Sequence, residues 1–211
     1  MQCPLCHSAH HQLFYKDRLH HFFSCRNCGG LFRPDHNIPN ADAEKARYQT
    51  HNNDVNDPGY RNFVRPLVDY VKKHYPKPAK GLDYGAGTGP VIAVMLEEDN
   101  YKLALYDPFF HPDRTPLSST YDFIICCEVM EHFHKPDEEF PKLKALLKPG
   151  GSLLCKTDLH HPEINFEKWY YKNDPTHVFI YTKDSCHWIA KHFGFELEFI
   201  DDRSPVFKLP A

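Results

Sequence analysis

Three groups of residues in this chain have types and spacings that can do chemistry. The first is Cys3-x-x-Cys6 with Cys25-x-x-Cys28, the pairs being separated by 18 residues. Cysteines paired in this way match two knuckles whose four thiolates close a tetrahedron around zinc, and Gly29 and Gly30 after the second pair give the backbone freedom a knuckle needs. Four protein ligands leave no open coordination position, so the Zn2+ expected at Cys3, Cys6, Cys25 and Cys28 is structural. The second group is Gly81-Leu82-Asp83-Tyr84-Gly85-Ala86-Gly87-Thr88-Gly89-Pro90, an apolar run entering a glycine turn. Glycines let the main chain pass close to a ligand, and a helix opening behind them offers free N–H groups and a positive dipole end to a carboxylate. The dinucleotide fingerprint needs glycine or alanine where this chain has Pro90, which argues against a nicotinamide cofactor. The third group is Glu128-x-x-Glu131-His132. Residues at i, i+3 and i+4 share one helical face, and two carboxylates with an imidazole can hold a divalent ion, Mg2+ or Mn2+, with His177 completing the set. The alternative is that Glu128 faces a cofactor while Glu131 and His132 only begin a helix.

The elements that must position these groups read as follows. Residues 1 to 34 are short in aliphatics and dense in Cys and His, so they need metal rather than a core to fold, with Phe14, Tyr15, Phe22 and Phe23 suiting a hairpin between the cysteine pairs. His7, His20 and His21 read as solvated. Helical spacing follows at Ala41 to Gln49 and again at Phe63, Leu67, Tyr70 and Val71, with Asp57-Pro58-Gly59 between and a stop before Pro76. Beyond Lys80 the pattern alternates strand and helix, the signature of a parallel sheet with crossover helices. Strands are predicted at Gly81 to Tyr84, Leu103 to Tyr106, Phe123 to Cys127 and Ser152 to Lys156. Helices are predicted at Pro90 to Glu98, Asp137 to Leu147 and Lys183 to His192, the last leading into strands at Phe195 to Ile200 and Pro205 to Leu209.

Composition narrows the function classes. Over 211 residues, 41% are hydrophobic and 25% charged, the balance of a globular domain. A formal charge of −3 gives no general attraction to phosphate backbones, so nucleic acid is a disfavoured partner. The first residues hold no apolar run of the kind a signal peptide or a membrane span requires, and the C-x-x-C pairing suits a reducing compartment, so we expect a cytoplasmic protein without membrane attachment. The remaining cysteines read as small core residues.

The glycine turn in its context, D-x-G-x-G-x-G after a strand, resembles motif I of class I S-adenosylmethionine-dependent methyltransferases. Asp107, 24 residues after Asp83, stands where that family places an acidic residue on both ribose hydroxyls. Tyr121 to His132 resembles the fourth-strand motif and Leu146 to Gly151 the turn into the fifth strand. Asp174-Pro175-Thr176-His177-Val178, and Tyr48-x-x-His51-Asn52-Asn53 with Gly59-Tyr60, are also similar to family segments. The resemblance implies that Asp83, Tyr84, Gly85, Gly87, Gly89, Asp107, Pro108, Cys127 and Glu128 hold S-adenosylmethionine, and that Glu131, His132 and His177 serve catalysis. The Glu128-x-x-Glu131-His132 cluster is similar to the metal site of small-RNA 2′-O-methyltransferases and of ubiquinone-pathway O-methyltransferases, and the N-terminal segment resembles a zinc ribbon.

One departure is legible. Tyr121 follows Asp107 by only 14 positions, too few for the usual helix, third strand and adenine contact, so Pro108, Phe109 and Phe110 are expected to wall the ring instead. The fold expected is α/β: a shortened Rossmann-like methyltransferase sheet lacking its third strand, preceded by a small zinc ribbon. Its divisions are a ribbon at 1–34, a helical linker and lid at 35–78, and the methyltransferase domain at 79–211. The expected activity is methyl transfer to an oxygen, nitrogen or carbon of a small-molecule acceptor, with phenolic, quinol-like or sugar compounds first. Trp169, Tyr170 and Tyr171 would form an aromatic lid or else pack on the sheet edge, and His134 joins His132 and His177 as a candidate base. The rival reading is a ribbon that binds nucleic acid or protein on a methyltransferase fold used for RNA or protein methylation, or without turnover.

Overall fold

A computed structural model describes residues 1–50 and 54–211, so the expected motif positions His51, Asn52 and Asn53 lie outside the described residues. The main sheet has six strands in the order β5-β4-β6-β7-β10-β9, formed by Lys102–Tyr106, Lys80–Tyr84, Tyr121–Cys127, Leu147–Lys156, Pro205–Lys208 and Glu196–Phe199 respectively. The first four are parallel; β10 pairs antiparallel with both β7 and β9. The central strands are apolar on both faces, with Leu82, Phe123, Ile124, Ile125, Leu153 and Leu154 all fully buried, which is what a sheet covered by helices on each side requires. Between β5 and β6 the chain forms an isolated bridge between Asp107 and His111 and a 3-10 turn, Thr115–Ser118, but no strand, and β5 is the sheet edge, so the third strand is missing as the short spacing predicts.

Three of the helices start where a side chain accepts from their free amides. At α2 (Pro58–His74) Asp57 Oδ1 accepts from Gly59 N at 2.6 Å and Tyr60 N at 3.0 Å, with Pro58 at the first helical position. Its inward face, Val64, Leu67, Val68 and Val71, packs with Val91, Ile92 and Met95 of α3 (Val91–Glu97) over the sheet. At α5 (Lys183–Phe193) Thr182 and Ser185 form a capping box, and the helix ends in left-handed Gly194. Between β6 and β7, α4 (Pro136–Ala145) stops two residues short of the predicted limit, because Leu147 already pairs with Tyr121 as the first residue of β7.

The N-terminal segment forms β1 (His11–Lys16), β2 (His21–Cys25) and β3 (Leu31–Phe32), followed by the short helix α1 (Ala41–Tyr48), capped by Asn40. Its sheet has a fourth strand, β8 (Phe179–Ile180), contributed by the C-terminal half of the chain: Leu31 lies opposite Ile180 and Phe32 opposite Phe179. Gly30 permits this approach, since a Cβ there would stand 2.2 Å from the Phe179 ring. Among the described residues no helix is long and apolar enough to cross a membrane.

Candidate active site

At the C-terminal ends of β4, β5 and β6, where open α/β sheets place their ligands, lies a cavity of about 790 Å³. Of the expected cofactor residues, Asp83, Tyr84, Gly85, Gly87, Gly89, Asp107, Pro108, Cys127 and Glu128 all line it, as do His132 and His177. Phe109 and Phe110 form part of its wall, and Tyr48, Tyr60 and Phe63 close it from the side of α1 and α2.

The glycine turn is bonded internally. Gly85 and Gly87 have φ of 83° and 61°, and a Cβ on Gly85 would stand 2.4 Å from Val129 Cγ2. Gly85 N and Ala86 N both donate to the Tyr106 carbonyl, at 2.8 and 3.2 Å, and Gly87 N donates to Asp107 Oδ2 at 3.0 Å. Asp107 Oδ1 accepts from Phe109 N and Phe110 N at 2.8 and 3.0 Å. The amides expected to receive a ligand carboxylate at residues 85 to 87 are thus already committed to β5 and to Asp107, while Oδ2 of Asp107 keeps a lone pair for a hydroxyl. Burial, and then the neighbouring Asp107 charge, pushes the Asp83 carboxyl up to about 7. A nucleoside sulfonium fits these residues: the carboxylate at the end of β5 matches a ribose, and a cation beside Asp83 offsets its burial.

Toward the acceptor end, the expected shared helical face of Glu128, Glu131 and His132 is absent. Glu128 has left-handed backbone, φ 53°, and only a 3-10 turn, Met130–His132, follows it. Three of the four expected ligands nevertheless meet: Glu131, His132 and His177 offer ligand atoms within 4.8 Å of one another, and Glu128 stands outside this group. His132 Nδ1 donates to the Thr176 carbonyl at 2.8 Å and His177 Nδ1 to the Tyr171 carbonyl at 2.7 Å, so each ring holds its proton on Nδ1 and keeps the Nε2 lone pair. Burial lowers both imidazoles, His177 to about 3. Glu131 lies behind the cavity wall, fully buried. Its Oε1 accepts from Tyr171 OH at 2.5 Å, which in turn accepts from Thr157 Oγ1 at 2.8 Å, while its Oε2 makes no hydrogen bond among the described residues. Burial raises Glu131 to about 7 against the Tyr171 hydrogen bond.

Other placements differ from the sequence reading. Tyr170 lines the cavity and is exposed, but Trp169 and Tyr171 are buried against Phe166, so the lid is one residue rather than three. His134 is paired to Glu44 at 2.6 Å. His7 is exposed and paired to Asp137, whereas His20 packs on Asp17 at 2.9 Å instead of facing solvent. Arg203, between β9 and β10 and not singled out by the sequence, lines the cavity 5.3 Å from the Phe63 ring, with buried Lys156 at 4.6 Å from the same ring.

The four N-terminal cysteines converge as the spacing predicts. Sγ of Cys3 lies 3.6 Å from that of Cys28, and Cys6 3.4 Å from Cys25, with all four within 4.8 Å of one another. A tetrahedral thiophilic ion fits that set. Cys126, Cys155 and Cys186 are fully buried core residues, while Cys127 reaches the cavity.

Comparison with known proteins agrees with this geometry. No curated protein sequence matches the chain. Among solved structures it is similar to 1,6-didemethyltoxoflavin N1-methyltransferase of Burkholderia thailandensis, crystallised with 1,6-didemethyltoxoflavin and S-adenosylhomocysteine. The TM-score is 0.57 at 15% identity over 95% of this chain and 100% of that one. It is also similar to an O-methyltransferase family protein from Burkholderia thailandensis, with a TM-score of 0.53 at 13% identity over 80% of this chain; the matched region spans 63% of that protein's length. At these identities the likeness is one of fold. The sequence model of the methyltransferase domain matches residues 58–198, from the start of α2 into β9. The chain belongs to the methyltransferase-domain family, the S-adenosylmethionine-dependent methyltransferases with a class I, Rossmann-like fold.

Proposed function

We propose that this chain is a cytoplasmic methyltransferase of the ubiquinone-pathway type that methylates a hydroxyl of a small phenolic, quinol-like or sugar acceptor, held against a divalent ion at Glu131, His132 and His177. The observation that carries the reading is the pair of imidazoles whose Nδ1 protons are both tied to main-chain carbonyls, beside a buried carboxylate with one oxygen that has no hydrogen-bond partner among the described residues. Side chains fixed in this tautomer by an outer hydrogen bond are what a metal-ligating histidine requires.

S-adenosylmethionine supplies an electrophilic methyl group. Asp107 would hold the ribose, Asp83, Gly85, Gly87, Gly89 and Cys127 the amino-acid end, and Pro108 and Phe109 the adenine, with Tyr84 also lining the cavity. A divalent ion at the trio would supply the positive charge that eases loss of the acceptor's proton. Glu128, whose buried Oε1 has no hydrogen bond among the described residues, faces the cavity beside this trio and orients the acceptor or the cofactor amine. Tyr60, Phe63 and Tyr170 exclude water, and alignment of the acceptor oxygen with the methyl group is the main catalytic contribution of the protein. The cysteine set holds one structural Zn2+. In this reading the ribbon covers residues 1–34, the linker and lid 35–78 and the catalytic domain 79–211.

The test is transfer of labelled methyl groups to a panel of catechols, quinols and sugars in chelator-treated buffer. Turnover should collapse in that buffer and return with Mg2+ or Mn2+ while the zinc content stays constant. Turnover indifferent to added ions would remove the divalent site from the account.

A further inference from the structure

The N-terminal segment reaches the trio through one side chain. Arg33 follows β3 directly and is 3% exposed, yet no carboxylate pairs with its guanidinium among the described residues. It is satisfied by main-chain carbonyls. Nε donates to the His177 carbonyl at 3.0 Å, and Nη2 donates to the carbonyls of Lys172 and Asp174 at 2.9 and 3.1 Å. Nη1 donates to Asn37 Oδ1 at 2.8 Å, and the plane lies 4.5 Å over the Phe22 ring. The backbone adds to the clamp, since Arg33 N donates to the Val178 carbonyl at 2.9 Å next to the β3–β8 pairing.

The segment so gripped, residues 171 to 178, carries the groups that orient the trio. The Tyr171 carbonyl takes the His177 Nδ1 proton, Tyr171 OH donates to Glu131, and the Thr176 carbonyl takes the His132 Nδ1 proton. Its conformation has little regular structure of its own, a 3-10 turn over Tyr170–Asn173 and then β8. Three carbonyls converging on one buried guanidinium set where this loop sits, because removing the donors would leave the buried Lys172 and His177 carbonyls unpaired among the described residues and the Asp174 carbonyl with only the His177 amide at 3.2 Å. A planar fork is the only protein group that reaches such a set at once; an ammonium offers its protons from a single point.

We infer that Arg33 is a positioning residue for the acceptor-side site: it fixes the 171–178 loop, and through it His177, so that the cysteine-bearing segment is a structural part of the active site. This rests on the reading of His177 as a site residue, given above. It assigns the N-terminal module a task that does not involve nucleic acid or a protein partner.

The experiment uses the full zinc-loaded chain with Arg33→Ala and Arg33→Lys, and three readouts. These are S-adenosylhomocysteine affinity by calorimetry, Mn2+ affinity by electron paramagnetic resonance, and the 15N shifts of the His177 ring. Arg33→Ala should weaken Mn2+ binding at least tenfold and alter the His177 Nδ1 and Nε2 shifts, while zinc content and nucleoside affinity stay within twofold of wild type. Arg33→Lys should fall between the two. Mn2+ affinity and His177 shifts unchanged in both variants would overturn the inference. If wild-type protein binds no Mn2+, the divalent reading fails separately and the His177 shifts alone decide the role of Arg33. If Arg33→Ala does not fold, Arg33→Lys decides, and a wild-type spectrum in that variant would again overturn it.

Discussion

The Gly87 main-chain amide donates to Asp107 Oδ2 at 3.0 Å, so the glycine turn after β4 and the end of β5 are joined before any nucleoside arrives. With Phe109 N and Phe110 N on its other oxygen, Asp107 shapes the turn over the cavity as well as offering a site for ribose.

Removing this carboxylate should therefore act twice. Hydrogen bonds to a charged acceptor contribute about 1.5–3 kcal/mol each, so Asp107→Ala is expected to lower S-adenosylhomocysteine affinity on the order of 100-fold and to lower the melting temperature of the free protein as well. Asp107→Asn, which keeps one acceptor oxygen, should retain more stability than affinity. Calorimetry and thermal unfolding on both variants check this; wild-type affinity in Asp107→Ala would remove the residue from the binding site.

Asp83 gives a pH dependence with a definite sign. Its carboxyl is raised in the folded protein from 3.8 to about 7, chiefly by burial. The folded state therefore holds a proton that the unfolded chain releases, and the stabilisation present below pH 4 is lost as pH rises to about 7, then stays constant. The shift corresponds to about 4 kcal/mol. Asp83→Asn should flatten the stability profile across this window and raise the melting temperature of the free protein at pH 8 by several degrees, while weakening nucleoside binding. An unaltered profile would show that Asp83 does not titrate there.

Gly85 tests the turn itself. A methyl group at this position meets Val129 Cγ2 at 2.4 Å, in a backbone conformation with φ 83° that side chains rarely adopt. Gly85→Ala should cost about 1–3 kcal/mol of stability and most of the nucleoside affinity. Adding Val129→Ala should recover part of the stability, since it relieves the clash but leaves the φ strain.

Metal analysis should find one zinc per chain. Cys28→Ser should abolish it and destabilise the protein, because the sheet built on the cysteine module includes β8 beside His177. Stability unchanged after zinc loss would separate the module from the rest of the fold.

Much of the site was legible because it is local. The strand, glycine turn and helix from Lys80 to Glu97 are contiguous, and Asp107 falls at the end of the next strand, so residue type and spacing locate both. The four cysteines were legible for the same reason. The shared helical face of Glu128, Glu131 and His132 fails because that spacing presumes regular backbone and the left-handed turn at 128 interrupts it, while Glu128 faces the cavity as the other reading has it. Arg33 was invisible as a site residue, since its partners in the 171–178 loop stand 139 to 144 positions away and are carbonyls, which carry no residue-type signal. The same holds for β8: two residues are too few for a period, and their strand exists only because β3 lies alongside.

The central claim is that the cavity above β4 and β5 binds the nucleoside of a methyl donor, and calorimetric titration of zinc-loaded protein with S-adenosylhomocysteine tests it most directly. One binding site per chain, with a matching rise in melting temperature that Asp107→Ala abolishes, is the predicted result. Absence of both heat and thermal shift with either S-adenosylhomocysteine or S-adenosylmethionine would contradict it.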